Sequence, residues 1–95
     1  QDLKLFLDAD LAILGSINFE DGYNKEYAKG VRKEYKHIDD SSFAQGRSSF
    51  LQSFLQYPFL FHSYTMRELC EQQARNNIQQ EIELLQDGYY MIENM

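Results

Sequence analysis

Cysteine occurs once in these 95 residues and proline once, and glycine five times. A single cysteine, Cys70, excludes an internal disulfide framework and a cysteine metal cluster. So few prolines and glycines make a many-turned β fold hard to write and long helices easy. No apolar run approaches the roughly 20 residues needed to span a bilayer, and no signal peptide is visible. There is also no Gly-rich phosphate loop, no G-x-S-x-G elbow and no paired histidines at helical zinc spacing. The net charge is −6, which repels phosphate backbones and argues against nucleic-acid binding through a broad basic surface. The expected setting is reducing and cytoplasmic.

Apolar residues make up 43% of the chain, enough for one small globular domain with a single core. Charge is uneven: residues 22–38 carry five Lys/Arg against two Glu, a pattern that reads first as a solvated helix face.

The stretch LFLDADLAILG (Leu5 to Gly15) organises the chain. Leu3, Phe6, Leu7, Leu11 and Leu14 recur at spacings of three and four and share one helical face. Asp10 falls on that face. Asp8 lies roughly 200° away, because each residue turns a helix by about 100°, and its face is wetter. A carboxylate inside an apolar stripe is costly unless paired. A core arginine such as Arg47 or Arg75, a helix N-terminus or a metal ion would each serve Asp10.

The spacing predicts an all-α chain of four main helices. The first spans about Asp2 to Leu14, with Gly15 as a left-handed C′ residue. The second runs from about Phe19 to His37. Its aromatic stripe (Tyr23, Tyr27, Val31, Tyr35) is interrupted by Gly30, which costs about 1 kcal/mol relative to Ala and suggests close packing there. The third spans about Ser42 to Gln56, capped by Asp40 or Ser41, with Arg47 on its apolar side. Tyr57-Pro58 ends it, and Phe59 to Ser63 reads as one short turn with His62 packed beneath the loop. Thr65-Met66-Arg67-Glu68 matches a capping box and opens the fourth helix, which runs to about Gln86. Its inner face is Leu69, Cys70, Gln73, Ala74, Asn77, Ile78, Ile82 and Leu85. Asp87-Gly88 stops it. Residues 1–88 form the domain, and 89–95 form a tail without an assigned place. Glu68, Glu71, Glu81 and Glu83 read as solvated charges. Arg47 and Arg75 either lay their stems on apolar surface, pair with buried carboxylates or bind phosphate oxygens.

Further stretches accompany FLDADLAILG in order. They are Tyr23 and Tyr27, VRKEY at Val31 to Tyr35, Gly46-Arg47 with the Phe50–Leu55 helix, Phe61 and Thr65 after Pro58, then Glu68, Ala74-Arg75-Asn76-Asn77 and Glu81. Together they resemble the predicted metal-dependent phosphohydrolases of the HD superfamily, over about residues 3–86. The resemblance implies a helical bundle and a His…His-Asp…Asp metal site. The divalent ion, of Mn, Fe, Mg or Zn type, activates a water to attack a phosphoester and neutralises charge on the phosphoryl oxygens. Ala9-Asp10-Leu11 matches the context of the last aspartate of that set, with Asp8 as the alternate ligand. Arg32, Arg47 and Arg75 match basic positions and become candidates for ion pairs or for substrate phosphate.

The chain holds no His-Asp dipeptide and no histidine ahead of Asp10. The resemblance therefore implies the C-terminal half of the domain, enzymatic only if an upstream half supplies the other ligands, since catalytic sites take three or more protein ligands. Expected partners are a phosphorylated small molecule, nucleotide-like compounds included, and the missing half or a second copy. The alternative is a non-catalytic helical interaction module, with Phe43, Phe50, Phe54 and Phe59 as an exposed partner surface.

Overall fold

The structure is a computed structural model, and it describes residues 12–92. Within them the chain forms a 3₁₀ turn, Ala12–Gly15, followed by three helical rods, with no strand among the described residues. The all-α class is therefore observed. The predicted first helix lies almost wholly outside the described residues; its last residues form the 3₁₀ turn instead.

The first rod, α1, is a π-helix over Phe19–Ala28 that continues as an α-helix over Lys29–Glu34. Asn18 caps it, its side chain accepting from the Asp21 N–H at 2.9 Å. The rod stops three residues short of the predicted His37. The cause is Arg32, whose guanidinium donates to the carbonyls of Tyr35 and Ile38, each at 2.9 Å, and so draws the chain out of the helical ladder. Gly30 faces open space, so the expected close packing there is absent.

The second rod, α2, spans Asp40–Leu55. Its cap is neither Asp40 nor Ser41 but Asp39, whose carboxylate accepts from the Ser42 N–H at 3.0 Å. That bond holds the Asp39 carboxyl below its usual range. The freed Asp40 turns instead to Arg32 and to the N–H of Ile92.

The loop after α2 is not a helical turn. It is gathered by Glu71, which accepts from the N–H groups of Leu60 and Phe61 and so presses both side chains into the core, where they are 4% and 1% exposed. His62 is on the surface rather than beneath the loop.

The third rod, α3, comprises Tyr64–Met66, a π-helical turn Arg67–Glu71 and the long α-helix Gln72–Gln86. Ser63 caps it, accepting from the Met66 N–H at 3.1 Å; the predicted Thr65 cap lies two residues inside. The wider π turn rotates less per residue than an α turn and so shifts the helical phase. Leu69, expected inward, consequently points out and is 71% exposed, whereas Ala74, Ile78, Ile82 and Leu85 keep the expected inner face. The rod ends at Gly88, the expected stop, whose φ of +79° is left-handed. The Gly88 N–H bonds to Leu85 O and the Tyr89 N–H to Leu84 O, the paired bonds of a Schellman motif. Gly15 has no such φ.

α3 is the spine of the fold. α2 packs along one side, and the Ala12–Gly15 turn and the start of α1 pack along another. Residues 89–92 do not trail away. Tyr90 returns to the core, 4% exposed, and the Arg32 Nε donates to its carbonyl at 3.0 Å.

Candidate functional site

Asp10 and Asp8, the two candidate ligands, lie outside the described residues. What is visible is the frame from which their segment emerges, and that frame is polar where a small helical domain is ordinarily apolar. Asn24, Arg32, Arg47, Asn77 and Glu81 are all buried, yet no buried side-chain nitrogen or oxygen among the described residues lacks a partner.

At its centre α3 places Glu81 opposite α2 and α1. The Arg47 Nε donates to Glu81 Oε2 at 2.8 Å and Arg47 Nη2 to Oε1 at 3.1 Å, a forked ion pair. The Tyr23 hydroxyl donates to the same Oε1 at 2.6 Å. Tyr27 lies over the guanidinium, 5.3 Å from ring centroid to carbon. Burial, then the adjacent Glu81 charge, pushes the Tyr23 pKa far above its ordinary value. Burial alone would lower the Arg47 pKa, but the hydrogen bond and charge of Glu81 outweigh it and raise it. Glu81 was expected to be solvated and is 1% exposed.

A second cluster joins α1 to the returning chain. Tyr90 donates its hydroxyl to Asn24 Oδ1, while the Asn24 amide donates to Glu20 at 3.1 Å and to the Tyr89 hydroxyl at 3.3 Å. Tyr90, like Tyr23, has its pKa raised, first by burial and then by the Glu81 charge. Nearby, Arg32 is 1% exposed. Three of its bonds go to carbonyls, and the fourth is an ion pair with Asp40 at 2.6 Å. The guanidinium also stacks on Phe43, 4.5 Å away.

Arg75 holds the third junction. It pairs with Glu71 at 2.9 Å and donates to the carbonyls of Leu55 and Tyr57 at 3.2 and 2.6 Å. The three candidate arginines therefore sit at three separate junctions and share no hydrogen-bond partner. Each is an ion pair of the scaffold, one of the alternatives their positions allowed. The carboxylates of Arg47 and Arg75 are glutamates of α3, so both guanidiniums considered for Asp10 already have a counter-charge.

The fourth junction concerns the candidate ligand segment directly. Asn77, fully buried, donates from Nδ2 to the carbonyls of Leu14 and Ser16, both at 2.8 Å. Gln73 donates to Asn77 Oδ1 at 3.0 Å and fixes which way the amide faces. Gly15 presses on α3 so closely that a Cβ there would lie 2.7 Å from the Cys70 Cβ. A Cβ at Gly22 would lie 1.9 Å from Ser16 Oγ. The turn two to six residues beyond Asp10 is thus clamped from both sides.

Among the described residues no three His, Cys, Asp or Glu side chains stand together as a metal site would require; they do not by themselves fit a divalent ion. Two open clefts flank α2. One, of about 520 Å³, lies between Ser41, Ala44 and Ser48 of α2 and Tyr90 and Met91. The other, of about 300 Å³, is walled by Val31, Tyr35, Phe43 and Phe50, with Arg47 also lining it.

Of the four phenylalanines considered as a partner surface, Phe43 and Phe54 are in the core. Phe50 is half exposed, and Phe59 is 55% exposed with the Arg67 guanidinium 4.1 Å from its ring. No known protein family, curated protein or solved structure matches the chain.

Proposed function

We propose that this chain is the C-terminal part of a metal-dependent HD-type phosphohydrolase, acting as the rigid frame that presents one carboxylate corner of the site. Asp10 is the carboxylate and Asp8 its alternate; the remaining ligands come from polypeptide outside these residues. The observation that carries the reading is convergence. Tyr23, Arg47 and Glu81 are 58 and 34 residues apart in their pairings, and each belongs to the stretches on which the resemblance rests. They meet in one buried hydrogen-bonded cluster, and Asn77, from another of those stretches, grips the turn that follows Asp10.

The divalent ion, when bound, supplies an activated water and neutralises phosphoryl charge. This chain's own contribution is to hold its carboxylate still and dry. The substrate is a phosphorylated small molecule, nucleotide-like compounds included, and the setting is cytoplasmic. The interaction-module alternative loses support from the burial of Phe43 and Phe54.

The test is made on the full-length gene product. Its coding sequence should contain a histidine and then a His-Asp pair within roughly 100 residues upstream, on the usual scale of a domain. The purified protein should hold a divalent metal and hydrolyse a generic phosphoester, and Asp10→Asn should abolish hydrolysis. The 95-residue chain alone should turn over nothing. Turnover by that chain, or an upstream sequence lacking the His-Asp pair, refutes the proposal.

A further inference from the structure

We infer that the cleft between the end of α1 and α2 is a binding site for an uncharged planar aromatic molecule, a site that stands whether or not the chain belongs to a phosphohydrolase. The cleft holds about 300 Å³. That is the small end of the range for small-molecule sites, about 300–1,000 Å³, and suits one or two fused rings. Val31, Tyr35 and Ile38 line it from the end of α1 and the connection that follows, Phe43 and Phe50 from α2. Its polar side chains are few: Ser42, Arg47 and the Tyr35 hydroxyl. Such a lining takes an apolar body and orients it by one or two hydrogen bonds.

Two features mark an unfilled site rather than a gap in the packing. Tyr35 and Phe50 each leave 46% of their surface to solvent, although Tyr35 leans on Phe43 at 6.5 Å and Phe50 on Phe54 at 4.8 Å. A flat ring entering the cleft would cover both and add the stacked or edge-on contacts that aromatic pairs prefer. The second feature is Gly46. Glycine is a poor residue for the middle of a helix, and neither usual reason for it applies here. Its φ is not positive, and an added Cβ would meet nothing within 4 Å. What it does is line the cleft without filling it. Gly30 also faces open space but lines neither of the clefts that flank α2.

Three rings around a cleft suggest a cation first, through attraction to their faces. Among the described residues, however, no Asp or Glu lines this cleft, and two of the rings already serve cations. The Arg32 guanidinium lies 4.5 Å from the Phe43 centroid and that of Arg47 5.8 Å from Phe50, so a cationic ligand would meet like charge. An anion gains little either, because Asp40 and Glu81 already neutralise Arg32 and Arg47, and a further unpaired charge against apolar walls is costly. An uncharged ring meets neither penalty.

The experiment titrates the full-length gene product with indole, benzoate and benzyltrimethylammonium in turn and follows amide chemical shifts. Indole should shift Ser42, Gly46 and Phe50 with half-saturation at or below about 1 mM, while Ala74 and Ile78 in the middle of α3 stay in place. Both charged probes should bind at least tenfold more weakly. Gly46→Leu, which fills the cleft from a helix position, should weaken indole tenfold or more, and Gly30→Leu should leave it unchanged. Phe50→Ser, which removes a half-exposed wall, gives the same reading if Gly46→Leu fails to fold. Half-saturation above that concentration, shifts spread equally through α3, a charged probe within tenfold of indole, or a folded cleft variant that loses less than tenfold each overturns the inference.

Discussion

Replacing Glu81 by glutamine is the sharpest perturbation of this fold, because it preserves volume and removes one charge. The carboxylate is 1% exposed and faces an arginine that is 9% exposed. After the change Arg47 is left as a buried cation with no counter-charge, which costs about 3–5 kcal/mol in comparable sites. The Tyr23 hydroxyl loses a charged acceptor as well, and bonds of that kind contribute about 1.5–3 kcal/mol; the two losses share Oε1 and are not additive. A chain of this length is stable by about 5–14 kcal/mol in total. Glu81→Gln should therefore remove about a fifth or more of the stability and lower Tm by about 12–40 °C, at about 4–8 °C per kcal/mol for a domain of this size. The assay is urea unfolding followed by far-UV circular dichroism. The decisive comparison adds Arg47→Met, Glu81→Leu and the double variant with Tyr23→Phe, which removes every polar partner at once. If burial of an unpaired charge causes the loss, the combined variant should recover at least 2 kcal/mol relative to the sum of the separate changes. A loss under 1 kcal/mol for Glu81→Gln, or strict additivity of the others, would refute the reasoning.

Other outcomes follow from the same contacts. Tyr23 and Tyr90 have folded pKa values above the unfolded value of about 10. Their contribution is fully present below about pH 10 and is lost as pH rises beyond it, at up to about 1.4 kcal/mol per pH unit for each tyrosine; tyrosinate absorbance at 295 nm for these two should appear only as circular dichroism is lost, and ionisation of all seven with the helices intact contradicts this. Asp40 is held below its ordinary pKa by the Ile92 N–H and then by Arg32, so its contribution is present above about pH 4 and lost as pH falls further; Asp40→Asn should quicken hydrogen exchange at Ile92 at neutral pH, and an unchanged rate there would show that the latch is elsewhere. Gly30→Ala adds a methyl into open space on a helix and should stabilise by about 0.4–1 kcal/mol, whereas Gly22→Ala meets Ser16 and should destabilise; equal effects of the two in thermal unfolding would contradict the packing described.

The helical class was legible because three long patterns are bounded by unambiguous signals, Pro58 after α2 and Gly88 after α3 among them. Local hydrogen bonds decided the ends. Asp39 outcompeted Asp40 for the cap because Asp40 had a buried arginine to neutralise, a partner eight residues away that no cap rule sees. Leu69 was misplaced because its period was counted at 3.6 residues through a turn that is π-helical. Glu81 was legible and passed over. Its spacing from Ala74, Asn77, Ile78 and Leu85 puts it on the buried face, but a lone glutamate reads as solvated until an arginine equally inward on another helix is set against it. Pairing Glu81 with Arg47 across 34 residues needs the tertiary fold. Of the candidate site, the sequence marks Asp10 through its apolar face and the described residues do not reach it.

The distribution of buried polarity bears on what the frame is for. Ion pairs in a core add little net stability, since desolvation offsets most of the attraction, and an apolar replacement is often as stable or more so. A small domain selected for stability alone has no need of Arg32, Arg47, Asn24, Asn77 and Glu81 inside it. What such groups provide is direction: a leucine can slide in its pocket, but a forked guanidinium and a three-bonded amide have one arrangement each. These directional contacts sit where segments change course. Arg32 and Asn24 receive the chain returning after α3, Arg75 fixes the loop after α2, Asn77 fixes the turn that follows Asp10, and Arg47 with Glu81 locks α2 to the spine between them. A frame fastened at its corners in this way holds the Ala12–Gly15 turn by direction as well as by packing. Replacing the central pair by apolar residues should therefore separate the two properties, leaving the fold near its original stability while loosening hydrogen exchange at the Ala12–Gly15 turn; equal protection there in the replaced and native proteins would mean that packing alone sets the geometry.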